Sequence, residues 1–229
     1  MTIPATHCEI EQIYLAAELA NCRSLCVTSC QSGDGVTSIA TALAERCLLA
    51  GHKTLLIDLN LFKPTLNPLP TINTEHEIGL VEYKQSQRLF TGISVPQDPT
   101  TQLAYKDPAT MSRAVVKWAT KFDRIIIDTS PLLNRNRNNI SAQSVANACD
   151  KVLLVVKGGA TTNTQVTQAL QLLQSDNIAL LGSILNLQDQ PTLSQELVRQ
   201  LKRTRFLPQR LMNHLENKLL SNRFLSQSA

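Results

Sequence analysis

The chain has 229 residues, which suits one domain with a tail. Its 43% hydrophobic content fills a sizeable core, and its low aromatic content of 4% favours helices packed on a sheet over a sandwich rich in Trp and Tyr. The net charge of +4 argues only weakly for an acidic partner, and no apolar run approaches the ~20 residues that span a bilayer.

The N-terminus, MTIPATHCEIEQIY, has no basic stretch followed by an apolar one. No secretory signal is therefore visible, and a cytoplasmic location is expected. Strands are predicted at about 24–29, 54–59, 124–129, 151–157 and 178–186, because these runs are nearly continuous in Leu, Ile and Val. Helical patterns fall between them at about 36–50, 109–120, 139–148 and 162–175, the first closed by Gly51. Strand–helix alternation predicts a three-layer α/β fold, a mostly parallel sheet with helices on both faces. Residues 60–108, with Pro64, Pro68, Pro70, Pro96, Pro99 and Pro108, read as loops around a short helix near 79–88. NRNRNN (134–139) is a polar loop. Residues 191–229 read as a C-terminal helical extension, two helices interrupted near Pro208, after a domain spanning 1–190.

The six cysteines, Cys8, Cys22, Cys26, Cys30, Cys47 and Cys149, form no CxxC pair and no zinc-finger spacing. They read as reduced and largely buried thiols. Neither zinc nor an iron–sulfur cluster is expected.

SCQSGDGVTS (29–38) lies between the first strand and the first helix. Such a glycine-rich turn holds phosphates by converging backbone N–H groups and a helix N-terminus. Gly33, Asp34, Gly35, Val36, Thr37 and Ser38 are the candidate nucleotide-binding residues, with Thr37 placed to bind Mg²⁺. The pattern demands lysine at 36, where Val36 puts an apolar side chain toward the phosphates. Asp58 and Asp128 end two other strands and face the crevice where α/β sheets bind ligands. Thr37, Asp58 and Asp128 are the candidate metal residues.

CVTSCQSGDGVTSIATALAERCLLAGHKTLLIDLNLFKP resembles the bacterial tyrosine kinases of capsule and exopolysaccharide biosynthesis, a family within the MinD/ParA group of P-loop ATPases. The likeness continues through IGLVEY (78–83), KFDRIIIDTSPLL (121–133), ACDKVLLVVKGGAT (148–161) and LLGSILN (180–186), and covers about residues 10–187. It implies that Asp58 is the catalytic carboxylate, Asp128 the Mg²⁺-orienting aspartate and Asn186 the residue at the nucleotide base. Against the family pattern, Val36 replaces the phosphate-binding lysine, Gln31 the second lysine of MinD-type loops, and Asn60 the second acid after the strand. Arg137 falls near an expected aspartate. The kinases' oligomerisation motif would read Glu11, Tyr14, Ala17, with both arginines gone, and no tyrosine cluster ends the chain.

Phosphoryl transfer rests on positioning and charge stabilisation, both supplied by the missing lysine. The expectation is a catalytically impaired ATPase- or tyrosine-kinase-like protein acting as a binding or regulatory subunit in polysaccharide synthesis or export. Asp58 and Asp128 are then vestigial as catalysts, and Mg-ATP or Mg-ADP binds weakly or not at all. The implied partner is a membrane polysaccharide co-polymerase or export component, and a homo-oligomer stays open. The alternatives are an active ATPase or protein tyrosine kinase with a relocated cation, for which Lys63 is the candidate, and a MinD/ParA-like positioning protein.

The tail carries Arg199, Lys202, Arg203, Arg205, Arg210, Lys218 and Arg223 against Glu196 and Glu216, with an apolar stripe at Leu211, Leu215 and Leu219. It packs on the domain, docks on a partner, or lies on anionic lipid as a peripheral membrane contact. With only Phe206 and Phe224 as aromatics it has no stacking platform and gives little support to nucleic-acid binding.

Overall fold

Strands appear where the apolar runs predict them, at the boundaries the sequence sets or one to two residues inside. A computed structural model describes residues 3–61, 63–70, 78–134, 139–187, 197–199, 201, 216 and 218–219. The chain divides into two units, Met1–Lys157 with Thr161–Leu185, and Gly158–Ala160 with Asn186–Ala229. In chain order the elements are α1 (Cys8–Leu19), β1 (Ser24–Ser29), α2 (Val36–Leu49), β2 (Thr54–Asp58), β3 (Leu66–Pro68), β4 (Gly79–Tyr83) and β5 (Arg88–Ile93). They continue with α3 (Pro99–Lys106), α4 (Pro108–Ala119), β6 (Arg124–Asp128), α5 (Ala142–Ala148), β7 (Lys151–Lys157), α6 (Asn163–Ser175) and β8 (Leu180–Asn186).

The eight-stranded sheet has the order β3-β4-β5-β2-β6-β1-β7-β8. β6 sits between β2 and β1 and runs parallel to both, and β7 is parallel to β1. Successive residues of each central strand feed different cores, as the two-residue strand period requires. Leu25, Val27, Leu56, Ile126, Leu153 and Val155 pack with residues of α1 and α2. Cys26, Leu55, Ile57, Ile125, Ile127, Val152 and Leu154 pack with residues of α3 to α6. The result is the expected three-layer fold. Five thiols pack inward, with Cys26 fully buried and its pKa pushed up to about 12 by burial; Cys8 is exposed.

The stretch expected as a helix near 79–88 is a β-hairpin instead. β4 and β5 pair antiparallel, Gly79↔Gly92 through Tyr83↔Arg88, and β3 pairs antiparallel with β4. β5 then joins the main sheet, parallel to β2. Val81, Tyr83 and Phe90 are buried while Leu80 and Leu89 are exposed, a strand alternation that the helix-forming Leu, Glu, Lys and Gln of this segment conceal. Two helices go unpredicted. α1 precedes the first strand, and α3 starts inside the proline-rich region, where Pro99 occupies the first helical turn behind an Asp98 cap on the Thr101 N–H (2.8 Å). α4 repeats that device with Pro108 and Asp107, whose carboxylate accepts the Thr110 N–H (2.8 Å).

The expected boundary at 190/191 and the break at Pro208 lie outside the described residues, as does Arg137. Residues 197–199 and 218–219 are helical. Among the described residues no helix is long and apolar enough to cross a membrane.

Candidate phosphate-binding site

β1 is buried along its whole length and delivers the chain to a glycine turn at the carboxyl edge of the sheet. Gly33 (φ +94°) and Gly35 (φ +100°) both occupy the left-handed region, which glycine enters without steric cost. Gly35 is the N-cap of α2, so the turn opens directly onto that helix's positive end. The strand end is tied to β6: the Thr28 hydroxyl donates to the Ser130 carbonyl (2.9 Å), and the Leu132 N–H donates to the Ser29 carbonyl (2.8 Å).

Because β2 and β6 run in register, Asp58 stands opposite Asp128. Both are buried. The Thr37 hydroxyl, in the first turn of α2, donates to Asp128 Oδ2 at 2.6 Å. Asp128 Oδ1 is buried without a hydrogen-bond partner among the described residues. Burial, and then the charge of Asp58, push the Asp128 carboxyl well above the usual carboxylate range, and the Thr37 hydroxyl only partly offsets them. A hard cation with oxygen ligands suits that arrangement, since Thr37 Oγ1 and the unpartnered Asp128 oxygen are the donors Mg²⁺ favours. When bound, Mg²⁺ would neutralise charge between these residues and a phosphate chain.

Asp58 is differently placed. Its Oδ1 accepts the Asn60 N–H (3.0 Å); its Oδ2 accepts the Thr65 N–H (2.8 Å), the Thr65 hydroxyl (3.2 Å) and the Leu66 N–H (3.3 Å). Burial raises its pKa and these donors restrain the rise. The carboxylate thus anchors the segment that begins β3. Asn60, where the family pattern has an acid, accepts the Lys63 N–H through Oδ1 (3.3 Å). Lys63 itself is exposed.

Val36 does not line the mouth of the turn. It is buried in the cluster containing Val27, Ile39 and Ala40, where an apolar side chain gains what it would lose in water beside phosphates. Asp34 turns inward as well: 3% exposed, it accepts the Gln31 N–H at 3.1 Å. Ser38 follows Thr37 and reaches toward Tyr83, a buried phenol whose hydroxyl donates to Gln85 Oε1 (2.8 Å). Asn186 closes β8 and belongs to the smaller unit, where its carbonyl accepts the Gly158 N–H (2.9 Å). At the other end of α2, Glu11 pairs with Arg46, whose guanidinium lies 4.0 Å over the Tyr14 ring, and Ala17 is buried. All three motif positions of α1 are therefore engaged within the chain.

Burial pushes the Asp34 carboxyl above its usual range, and the Gln31 N–H, the charge of Lys157 and the Thr161 hydroxyl offset part of that rise; sequence reasoning missed Lys157 and Thr161, at the end of β7 and in the turn after it. Their signal lay in strand order, because β7 neighbours β1. It also missed Thr65 and Tyr83, whose places depend on the hairpin.

A buried strand, a glycine turn opening a helix, and a helix hydroxyl bonded to a carboxylate on the next strand define a P-loop ATPase-like site. The family described as an AAA domain matches residues 23–216. Tyrosine-protein kinase CpsD of Streptococcus agalactiae is 30% identical over 181 residues, 71% of this chain and 73% of that protein. Tyrosine-protein kinase YwqD of Bacillus subtilis is 29% identical over 179 residues, covering 72% of each chain. The septum site-determining protein MinD of Pyrococcus horikoshii, solved with Mg-ADP, shares the fold with a TM-score of 0.57 at 17% identity, over 84% of this chain and 76% of that one. This chain belongs to the bacterial tyrosine kinase family of the MinD/ParA-like P-loop ATPases, with valine where the loop lysine should stand.

Proposed function

We propose that the chain is a catalytically impaired member of this family, a binding or regulatory subunit for polysaccharide synthesis or export. The observation that carries this reading is Val36: its side chain is packed in the core, and residues 29–38 contain no cation. Loss of one preorganised charge-stabilising group costs about 10²–10³-fold in rate. Asp58, with its oxygens on backbone donors, is a positioning residue in this reading. The retained turn, Thr37 and Asp128 support weak Mg-nucleotide binding, with Asn186 assigned to the base. Residues 1–190 form the ATPase-like domain. Residues 191–229 are a basic extension that docks on a protein partner, a membrane co-polymerase or export component.

A second reading, an active enzyme with a moved cation, draws on Lys157, whose charge favours the ionised form of Asp34 in the loop against the burial that raises its pKa. Steady-state ATP turnover separates the two. Wild-type protein is expected to hydrolyse ATP at least 100-fold more slowly than the Val36→Lys variant. Equal rates, abolished by Lys157→Ala, would establish the second reading instead.

A further inference from the structure

Asp58 faces two ways. On one side it stands in register with Asp128, which accepts the Thr37 hydroxyl (2.6 Å) and leaves Oδ1 without a partner among the described residues. On the other, Asp58 Oδ2 accepts the Thr65 N–H (2.8 Å), the Thr65 hydroxyl (3.2 Å) and the Leu66 N–H (3.3 Å), at the start of the antiparallel wing that β3 and β4 build beside β5. Its Oδ1 accepts the Asn60 N–H (3.0 Å) and keeps a lone pair. Burial raises the pKa of Asp58, yet each of these partners is a donor, the pattern an ionised carboxylate makes. The wing meets the site a second time at the same place. Leu66 is paired with Tyr83 across β3 and β4, and Ser38, next to Thr37, hydrogen-bonds the Tyr83 hydroxyl. The Lys84 N–H closes the junction on the Thr65 carbonyl (3.2 Å).

We propose that the metal site and the wing form one cooperative unit, in which Asp58 links a divalent cation held by Thr37 and Asp128 to the seating of β3 and β4. This rests on the reading of Thr37 and Asp128 as the cation pair. Hard cations favour carboxylate oxygens, and Asp58 Oδ1 is the oxygen with room for one. A carboxylate is a rigid plane, so fixing Oδ1 also fixes Oδ2, and with it the Thr65 and Leu66 amides. Cation binding and seating of the wing then require the same orientation of one side chain, and each strengthens the other by the same factor. Occupancy of a buried site thereby becomes legible at the edge of the sheet, where β3 and β4 lie.

Hydrogen exchange of the full chain tests this, with and without Mg²⁺ alone at a concentration that saturates the protein in parallel calorimetry. Exchange at Thr65, Leu66 and Lys84 is expected to slow at least about fivefold with Mg²⁺, the lower end of the usual coupling between sites. Neither Asp58→Ala nor Asp128→Asn should show the slowing, and melting curves verify that both fold. Unchanged or faster exchange at the three amides, slowing that persists in either variant, or no saturable Mg²⁺ binding by wild type overturns the proposal. ATP turnover is a separate readout: fast hydrolysis by wild type defeats the impaired-enzyme reading and leaves the exchange ratio to decide the coupling.

Discussion

Asp128 presents one oxygen to the Thr37 hydroxyl and leaves the other buried without a partner, while the charge of Asp58 faces it across two paired strands. Such an arrangement is destabilising until a cation enters. Asp128→Asn removes the repulsion and keeps an acceptor for Thr37. In Mg²⁺-free buffer it should raise stability by roughly 1 kcal/mol, the common outcome of relieving strain at a functional site. Chemical denaturation of both proteins checks this; a less stable variant would show that the carboxylate contributes to the fold in some other way. The same scale explains why residue 36 could change. Once its side chain joins the core, valine satisfies packing, and the lost lysine leaves only the chemistry poorer.

At the scale of elements, the β3–β5 wing depends on contacts that a list of propensities does not contain. A side chain on Gly92 would place its Cβ 2.5 Å from the Leu56 carbonyl oxygen and 2.6 Å from Val81 Cγ2, so β5 can lie beside β2 only with glycine there. Gly92→Ala should cost about 1–3 kcal/mol by overpacking, measurable as a lower denaturation midpoint. Asp58 anchors the other side of the wing. It holds the Thr65 and Leu66 amides, and the Thr65 carbonyl accepts the Lys84 N–H (3.2 Å). In Asp58→Ala, hydrogen exchange at Thr65, Leu66 and Lys84 should accelerate well before exchange in β1 or β6 does. Unchanged protection at those three amides would refute the anchoring role.

For the whole molecule, ligand binding shows as added stability. A ligand at a concentration equal to its dissociation constant adds only about 0.4 kcal/mol, and one at a hundred times that constant about 2.7 kcal/mol. With a cradle that lacks its lysine, wild type in 1 mM Mg-ADP should gain less than about 0.5 kcal/mol. A shift corresponding to several kcal/mol in calorimetry would show a site that binds nucleotide strongly without the lysine.

The sequence alone determined the alternation of buried strands and helices, the position of the glycine turn, the two strand-end aspartates and the missing cation. These are local in origin: apolar runs of strand length, a left-handed turn that only glycine supplies freely, and a residue type at a known spacing. It left 79–93 misread, because Leu, Glu, Lys and Gln favour a helix in isolation and no Asn-Gly or Asp-Gly marks the turn. Only the tertiary structure decided that this segment pairs with β2, since strand pairing depends on a partner distant in sequence. The same long-range packing sent Val36 into the core and gave Asp58 to the backbone of Asn60, Thr65 and Leu66. What a side chain does is settled by the surroundings that folding brings to it, and no window of sequence contains them.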